Sequence, residues 1–337
     1  MIDLWKRCCM AILAAALFAG SVPAQVVYDG IILDRPNKWD GYPAHLFING
    51  THYIWWCSQG GGNEDTIWFS SKAGSLGPGG WATPQQVFSY VNTAWVAHDG
   101  HTCDPSVVHG SFPYQGHTYA YALYFTGVYN NAGTHLGGEN GIGVAFSNNG
   151  LAWTTSQAPI INPAGMGTGG YGAGMSGVSF GPDGTLMQAY LDSNETPDLL
   201  LASSTDGSTF SPLPGTATQL EAAGRYGDGQ GPDIAYNYAN GYWYAVIKNT
   251  DAQGIYDGET RVLRALQANT LLAGWQVIGM FNSSNTSWTQ NQNPGLGKTS
   301  NSGLYIDASG WAYVFFTVGN QRPDVASWAV AQGRFRP

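Results

Sequence analysis

Two aspartates precede apolar, strand-like runs in a sequence that carries few charges. Asp40 lies in Trp39-Asp40-Gly41-Tyr42-Pro43, and Asp104 lies in Cys103-Asp104-Pro105-Ser106. Only 10% of the residues are charged, whereas about 25% is usual. Two carboxylates on one polar site can divide acid–base work: one activates water while the other protonates a leaving oxygen, as glycosidic cleavage requires. A lone Asp before a strand is more often a turn residue, so the hypothesis needs a fold that brings the two together.

Aromatic and polar side chains in predicted loops near the same strand starts are candidate walls of a saccharide cleft. Sugars stack their C–H faces on aromatic rings, and their hydroxyls bond to polar side chains. The chain has 13 Trp, 19 Tyr and 13 Phe, more than a core alone explains. The predicted binding residues are Trp39, Tyr42, Trp95, His101, Tyr171, Arg225 and Gln230.

The elements that position these residues follow from a repeated hairpin signal. A short apolar run, a turn ending in Gly, and an aromatic-rich run recur five times. The turn glycines are Gly50, Gly116, Gly184, Gly241 and Gly310, at spacings of 66, 68, 57 and 69 residues. Asn-Gly and Asp-Gly between apolar runs are strong hairpin signals because both turn residues adopt positive φ. A third run follows each hairpin, and a fourth follows in four of the five copies.

Five units of four strands predict an all-β fold, a five-bladed β-propeller that forms one domain over residues 25–337. The fifth unit is expected to start with the strand Gly303–Ile306, after a polar loop from Asn282 to Asn301. It lacks an outer strand, and we expect the N-terminal run Val26–Leu33 to complete it and close the ring. A two-sheet sandwich with a similar number of strands is the alternative.

The net charge and the N-terminal sequence limit the classes of function that the chain can have. The net charge of −9 excludes a generic nucleic-acid binder, since phosphate contacts need a basic face. Residues 1–24 resemble a signal peptide: Lys6 and Arg7 precede an apolar run too short to span a bilayer. The expectation is a secreted or periplasmic monomer without a membrane span. Cys57 and Cys103 remain after cleavage, either as one disulfide or as two thiols.

Several short segments resemble the furanosidase-type five-bladed propellers of glycoside hydrolase families 43 and 62, with families 32 and 68 as relatives. They are the Asp104-Pro105-Ser106-Val107-Val108 run, the Gln230-Gly231-Pro232 run, and two Ser-rich strand ends, at 145–153 and 202–210. Trp39-Asp40-Gly41-Tyr42-Pro43 is similar to a motif of the fructan-processing relatives. The resemblance extends over nearly all of residues 26–337.

The resemblance implies three carboxylates: an Asp base, an Asp that tunes pKa, and a Glu acid. Asp40 matches the base by position, and the second Asp of this chain is Asp104. Gln230 stands where the family has its Glu, and an amide has no proton to give. Asp233 is the substitute acid that we would test first. No metal and no cofactor are predicted.

The resemblance therefore favours a secreted, inverting glycoside hydrolase that acts on polysaccharides or oligosaccharides containing arabinose or xylose. A glycan-binding propeller without hydrolysis is the main alternative, and Gln230 is its best support. A transglycosylase or lyase, and a scaffold that binds other proteins, also stay open because a fold alone does not fix an activity.

Overall fold

The computed structural model describes the segments at 25–60, 64–98, 100–128, 139–164, 171–195, 199–213, 218–223, 230–250, 256–271, 274–320 and 328–337. The predicted signal peptide lies outside them. Across these segments the chain forms twenty strands, a 3₁₀ turn at Tyr90–Asn92, and two one-turn helices, α1 (Thr218–Glu221) and α2 (Ser283–Thr286). The predicted all-β class is confirmed. No helix among the described residues is long and apolar enough to cross a membrane.

The strands form antiparallel meanders of four. The first contains β2 (Asp40–Ile48), β3 (Thr51–Gln59), β4 (Asp65–Ala73) and β5 (Gln85–Phe88). The second contains β6 (Thr102–Tyr114), β7 (His117–Val128), β8 (Asn140–Ser147) and β9 (Thr154–Thr155). The third contains β10 (Ala173–Phe180), β11 (Leu186–Asp192), β12 (Leu199–Ser204) and β13 (Ser211–Leu213). The fourth contains β14 (Gln230–Asn237), β15 (Tyr242–Thr250), β16 (Tyr256–Ala265) and β17 (Trp275–Phe281).

The last meander joins the two ends of the chain. It contains β18 (Gln290–Thr299), β19 (Ala312–Gly319), β20 (Ala329–Phe335) and the N-terminal β1 (Val26–Leu33). β1 pairs antiparallel with β20, from Val26 opposite Phe335 to Leu33 opposite Val330. β18 also pairs in parallel with β2, so the last and first meanders share one eight-stranded sheet.

The first strands of the five meanders contact one another in cyclic order. β2 contacts β6, β6 contacts β10, β10 contacts β14, β14 contacts β18, and β18 pairs with β2. Apolar clusters fill the spaces between successive meanders and between the last and the first. Their largest buried side chains include Phe88, Trp95, Phe112, Phe146, Trp243, Tyr244, Phe281, Phe316, Trp56 and Phe315. The result is a propeller-like arrangement in which the first strands surround a common centre.

Local turn chemistry explains the hairpins. Asn49 and Gly50 both have positive φ (50° and 80°), as do Gln115 and Gly116 (49° and 78°). These pairs join β2 to β3 and β6 to β7 with Ile48 opposite Thr51 and Tyr114 opposite His117. The two-residue turns therefore set the register of both hairpins.

The predicted first strand of the fifth unit is wrong. Residues 303–306 make only isolated bridges, Leu304 to Lys298 and Ile306 to Ala312. The first strand is β18, which lies inside the segment predicted to be a loop. Its polarity made a loop the expected structure, although Asn291, Gln292 and Asn293 are buried. The Asn291 amide donates to Gly258 O (3.0 Å) and to Trp288 O (2.9 Å).

Cys57 and Cys103 form a disulfide between β3 and β6. This resolves the alternative that the sequence left open. The bond links the first two meanders next to Asp104, so it fixes one wall of the central region in place.

Candidate active site

Each first strand contains the same backbone irregularity at the centre of the molecule. The pairing slips by one residue between Gly41 and Ala44, and correspondingly in β6, β10, β14 and β18. At each slip one residue has φ near +50°: Tyr42, Asp104, Met175, Gly231 and Asn293. Non-Gly residues rarely adopt this conformation. Four of the five bulges therefore hold a non-Gly residue in a strained conformation, and equivalent bulges in all five first strands are a shared feature of the centre of the molecule.

Two adjoining cavities lie over these bulges. The smaller, of about 30 Å³, is lined by the bulge residues and their successors from all five first strands, and it has room for one water molecule. The larger, of about 420 Å³, shares Tyr42, Asp104 and Met175 with the smaller one. Together they form a funnel with a wide mouth and a narrow base, and Asp104 lies where the two meet.

Asp104 is the carboxylate that the funnel buries. It is 6% exposed, and the Tyr171 hydroxyl donates to its Oδ2 at 3.2 Å. Burial raises the pKa of Asp104 to about 6, although hydrogen bonds from Thr126 and Tyr171 and the charge of Lys248 act in the opposite direction. A carboxyl with a pKa near neutrality is suited to exchange a proton with water or substrate.

Lys248 places a buried positive charge near this carboxylate. The residue is fully buried on β15 and pairs across the sheet with Gln230. Its aliphatic stem runs beside Gly231, where an added Cβ would lie 3.5 Å from Lys248 Cδ and Cε. The ammonium favours the ionised form of Asp104.

Asp40 does not occupy the position equivalent to Asp104, which corrects the sequence-based alignment of the two. The residue of β2 at the Asp104 position is Tyr42. Asp40 is fully buried: its Oδ1 accepts from Arg35 Nε (2.9 Å) and Trp56 Nε1 (2.6 Å), and its Oδ2 accepts from the Arg35 backbone N–H (3.0 Å). Neither cavity includes Asp40 among its described lining residues. These bonds make Asp40 an anchor for the segment that leads into β2.

Asp233 lies at the base of the funnel and is held by three donors. Lys298 Nζ contacts its Oδ1 at 2.6 Å, the Ile234 N–H donates to Oδ1 (2.9 Å), and the Leu296 N–H donates to Oδ2 (2.8 Å). Lys298 also donates to Val178 O (2.8 Å). Burial raises the pKa of Asp233, and Lys298 opposes that shift. The pair ties β14 to β18 and β10, so Asp233 braces the centre and has little capacity to serve as a proton donor.

The structure brings four of the predicted binding residues to the larger cavity: Trp39, Tyr42, His101 and Tyr171. Trp95 is instead a core residue, 6% exposed and stacked on Phe125 with ring centroids 5.7 Å apart. Its apolar ring fills the space between the first two meanders, which the sequence-based placement in a loop did not reveal. Gln230 starts β14 next to the bulge at Gly231, and Arg225 lies outside the described residues.

Sequence reasoning missed seven residues of the larger cavity: Asp65, Cys103, Thr126, Val128, Asn140, Met175 and Trp328. A local signal existed for the bulges, because Pro follows the positive-φ residue in four of the five first strands. No local signal linked Asp65 to His101, because only the packing of the first meander on the second brings them together.

Asp65 and His101 form a close pair at the mouth. Asp65 begins β4, and His101 directly precedes β6. His101 Nδ1 lies 2.6 Å from Asp65 Oδ2 and 3.2 Å from the Asp65 backbone nitrogen. The hydrogen bond to Asp65 raises the pKa of His101, with burial acting against it. The imidazole side chain is 50% exposed, and His101 is one of the residues that line the larger cavity.

Among the described residues, one group has the spacing of metal ligands: Cys57, Asp65 and Cys103. The two sulfur atoms are joined in the disulfide, so they have no thiolate to offer a metal ion. This group does not fit a metal site.

No family model matches this chain, and no curated protein matches it. Solved structures do resemble it. A thermostable family-43 glycoside hydrolase matches with a TM-score of 0.56 at 12% identity, over 88% of this chain and 89% of that one. An α-L-arabinofuranosidase from Podospora anserina, solved with cellotriose, matches with a TM-score of 0.58 at 13% identity, over 92% and 98%.

A family 117 glycoside hydrolase from the marine bacterium Zobellia galactanivorans matches with a TM-score of 0.59 at 12% identity, over 94% and 91% of the two chains. At these identities the similarity establishes a shared fold. It extends over nearly the whole described chain, and it agrees with the propeller-like arrangement of the meanders.

Proposed function

We propose that this chain is a secreted glycoside hydrolase with a five-bladed propeller fold that β1 closes against β20. The five meanders are the blades, and the funnel over the five bulges is the active site. Polysaccharides or oligosaccharides that contain arabinose or xylose are the proposed substrate class. The solved relatives include an arabinofuranosidase and a family 62 hydrolase bound to xylotriose, which supports this choice.

One observation carries the proposal: a carboxyl with a pKa raised to about 6 lies at the junction of an aromatic-walled cavity and a narrow polar base. Trp39, Tyr42, Tyr171 and Trp328 line the wider part and offer rings for sugar stacking. Ring faces suit sugar stacking, and the buried carboxyl supplies one of the two acid–base groups that glycosidic cleavage requires.

In the proposed mechanism Asp104 takes the role that the sequence assigned to Asp40. The Asp104 carboxylate accepts a proton from a water molecule, and the water oxygen attacks the anomeric carbon from the side opposite the leaving group. The reaction is inverting in this scheme, because Asp104 activates water and does not bond to the sugar. Tyr171 holds the carboxylate in orientation.

The experiment is sugar release by the mature chain from arabinan, xylan, arabinoxylan and fructan. We expect release from at least one arabinose- or xylose-containing polymer. An Asp104→Asn variant should lose about 10²–10⁴-fold in rate while its circular dichroism is unchanged. Asp183→Asn, in the exposed β10–β11 turn, is the matched control and should keep full activity. Undiminished release by Asp104→Asn would remove Asp104 from the mechanism.

The second candidate is a glycan-binding protein without hydrolysis. Gln230 favours it, because the acid that the resemblance implies is an amide here. This candidate predicts saturable binding of arabinoxylan oligosaccharides in calorimetry, with no release from any polymer and binding that survives in Asp104→Asn. If neither release nor binding is observed with the whole panel, both candidates are rejected.

A further inference from the structure

The cavity contains few side chains that can give a proton to a leaving oxygen. Its described titratable residues are Tyr42, Asp65, His101, Asp104 and Tyr171. Asp104 is the proposed base, and the Tyr171 hydroxyl is committed to it. A phenol has an ordinary pKa near 10, which makes it a poor acid at neutral pH. The remaining candidates are Asp65 and His101, and these two side chains are hydrogen-bonded to each other.

In the Asp65–His101 pair, the carboxylate orients the imidazole, and the imidazole can carry a proton. The 2.6 Å contact commits Nδ1 to the carboxylate, so the second nitrogen, Nε2, lies at the opposite side of the ring. A carboxylate on one nitrogen fixes the ring orientation and stabilises the imidazolium. The Asp65 backbone N–H points at the same Nδ1 from 3.2 Å, and it would donate there only if Nδ1 carried no proton. The shorter, charge-assisted bond to the carboxylate favours a protonated Nδ1.

The charges around His101 favour its protonated form. Asp65 acts through its hydrogen bond and its charge, and Glu64 adds a second negative charge from the same segment; both raise the pKa of His101. Partial burial of the imidazole lowers the pKa of His101 and so opposes the two negative charges. Asp104 has its pKa near 6. The shift of the His101 pKa above its ordinary value therefore favours the state in which Asp104 is ionised while His101 carries its proton.

We propose that His101, oriented by Asp65, is the general acid that protonates the leaving oxygen, in place of the family Glu that Gln230 replaces. This inference rests on the hydrolase function proposed above. Water gives one proton to the Asp104 carboxylate and forms the new bond to the anomeric carbon. The bond from that carbon to the glycosidic oxygen breaks, and Nε2–H of His101 gives its proton to that oxygen. Asp104 then returns its proton to solvent and neutral His101 takes one up.

The test uses aryl arabinofuranosides and xylosides whose phenols range from dinitrophenol to unsubstituted phenol. A general acid matters only when the leaving group needs a proton. We expect His101→Asn to lower kcat by about 10²–10⁴-fold with the phenyl glycoside and to leave the dinitrophenyl glycoside near the wild-type rate.

Asp65→Asn should move the alkaline limb of the wild-type pH profile to lower pH. His117→Asn, at an exposed position on β7, is the control and should change neither.

The outcomes separate this inference from the proposed function. If the wild type cleaves these glycosides and His101→Asn loses the same factor on every leaving group, or loses nothing, His101 is not the acid and the hydrolase proposal stands. If the wild type cleaves neither the aryl glycosides nor the polymers, the hydrolase proposal fails and this inference fails with it.

Discussion

Asp104 adopts a backbone conformation and an environment that both cost free energy. Its φ is +49°, a region that costs an L-residue about 1–2 kcal/mol. Its carboxyl is buried, with a pKa raised to about 6. Residues held under such cost are typical of functional sites, where activity is retained at the expense of stability.

Asp104→Asn is therefore expected to stabilise the protein while it removes activity. The pKa of about 6 in the folded protein exceeds the unfolded value of about 3.9. The folded state thus binds the proton more tightly, and ionised Asp104 opposes folding above pH 6 but not below pH 4. Asn fits the positive φ, so we expect a gain of about 1–3 kcal/mol at pH 7.5 that disappears near pH 3.5.

Urea unfolding of the wild type and the variant at both pH values measures this difference. Asp183 provides the contrast, because a backbone hydrogen bond from Thr185 lowers the pKa of its carboxyl. Asp183→Asn should give no gain at pH 7.5. A loss of stability in Asp104→Asn at pH 7.5 would contradict the argument that burial of this carboxylate is unfavourable.

Tyr171 is one of the groups that oppose the effect of burial on the pKa of Asp104. Its hydroxyl donates to Asp104 Oδ2 at 3.2 Å and so lowers the pKa of that carboxyl. In Tyr171→Phe the ionised form loses a donor. If Asp104 is the base, we expect the acid limb of kcat/KM against pH near 6 for the wild type and at higher pH for the variant. The profile of one soluble substrate measures it. Tyr114→Phe, whose hydroxyl donates to Thr155 O at 3.2 Å away from the funnel, should leave the limb in place.

At the scale of strands, structure that depends on neighbouring residues could be predicted from the sequence. The burial of polar side chains could not. The Asn49-Gly50 hairpin was predictable because two neighbouring residues determine the turn. β18 was not, because the burial of Asn291, Gln292 and Asn293 and the bond from Asn291 to Gly258 O on β16 depend on packing that the sequence does not reveal. The misplaced equivalence of Asp40 and Asp104 has another origin. β6 has a second register slip, between His109 and Phe112, so its bulge residue Asp104 lies 12 residues before the turn glycine Gly116, whereas Tyr42 of β2 lies 8 residues before Gly50.

The first strands approach so closely that a single methyl group should separate them. A Cβ added at Gly177 on β10 would lie 2.6 Å from Pro232 O and 2.6 Å from Asp233 Oδ1 on β14. Neither group can move freely, because Asp233 is fixed by Lys298 and by two backbone donors. Gly177→Ala should therefore cost about 3 kcal/mol or more.

Gly184→Ala is the matched comparison for Gly177→Ala. Gly184 has φ +82° and open space around the added Cβ, so only backbone strain applies, about 1–2 kcal/mol. Thermal unfolding of the two variants compares steric contact between meanders with strain in a turn. Equal losses in the two variants would mean that β10 and β14 are not as close as the structure has them.

At the scale of the whole molecule, the contact between the last and first meanders joins the two ends of the chain. Besides the parallel pairing of β18 with β2, a buried histidine pair lies at this contact. His45 Nε2 and His52 Nδ1 are 3.0 Å apart, and His52 Nε2 lies 3.0 Å from Gly74 O. His45 also stacks on Phe315 of β19, with ring centroids 4.4 Å apart. Both rings have to be uncharged in this setting.

Acid should therefore weaken the contact between the last and first meanders before it weakens the contacts between the other meanders. Burial lowers the pKa of His52 to about 4, and burial together with His52 lowers the pKa of His45 well below its usual value. Since unfolded histidine has a pKa near 6.5, the unfolded state takes up protons first as the pH falls. The pair's contribution is complete above pH 6.5 and is lost progressively towards pH 4.

The double variant His45→Leu/His52→Leu should show a shallower loss of unfolding free energy between pH 7 and pH 4 than the wild type. Each protein is compared with its own value at pH 7.5, which removes the pH-independent effect of the substitutions. The other titrating groups contribute to both slopes and cancel in the difference between the two proteins. His117→Asn, exposed on β7, should follow the wild-type slope. Hydrogen exchange at pH 5 should show the first loss of protection in the amides of β2 and β18. If the double variant keeps the wild-type slope, the histidine pair does not control the acid stability of this contact.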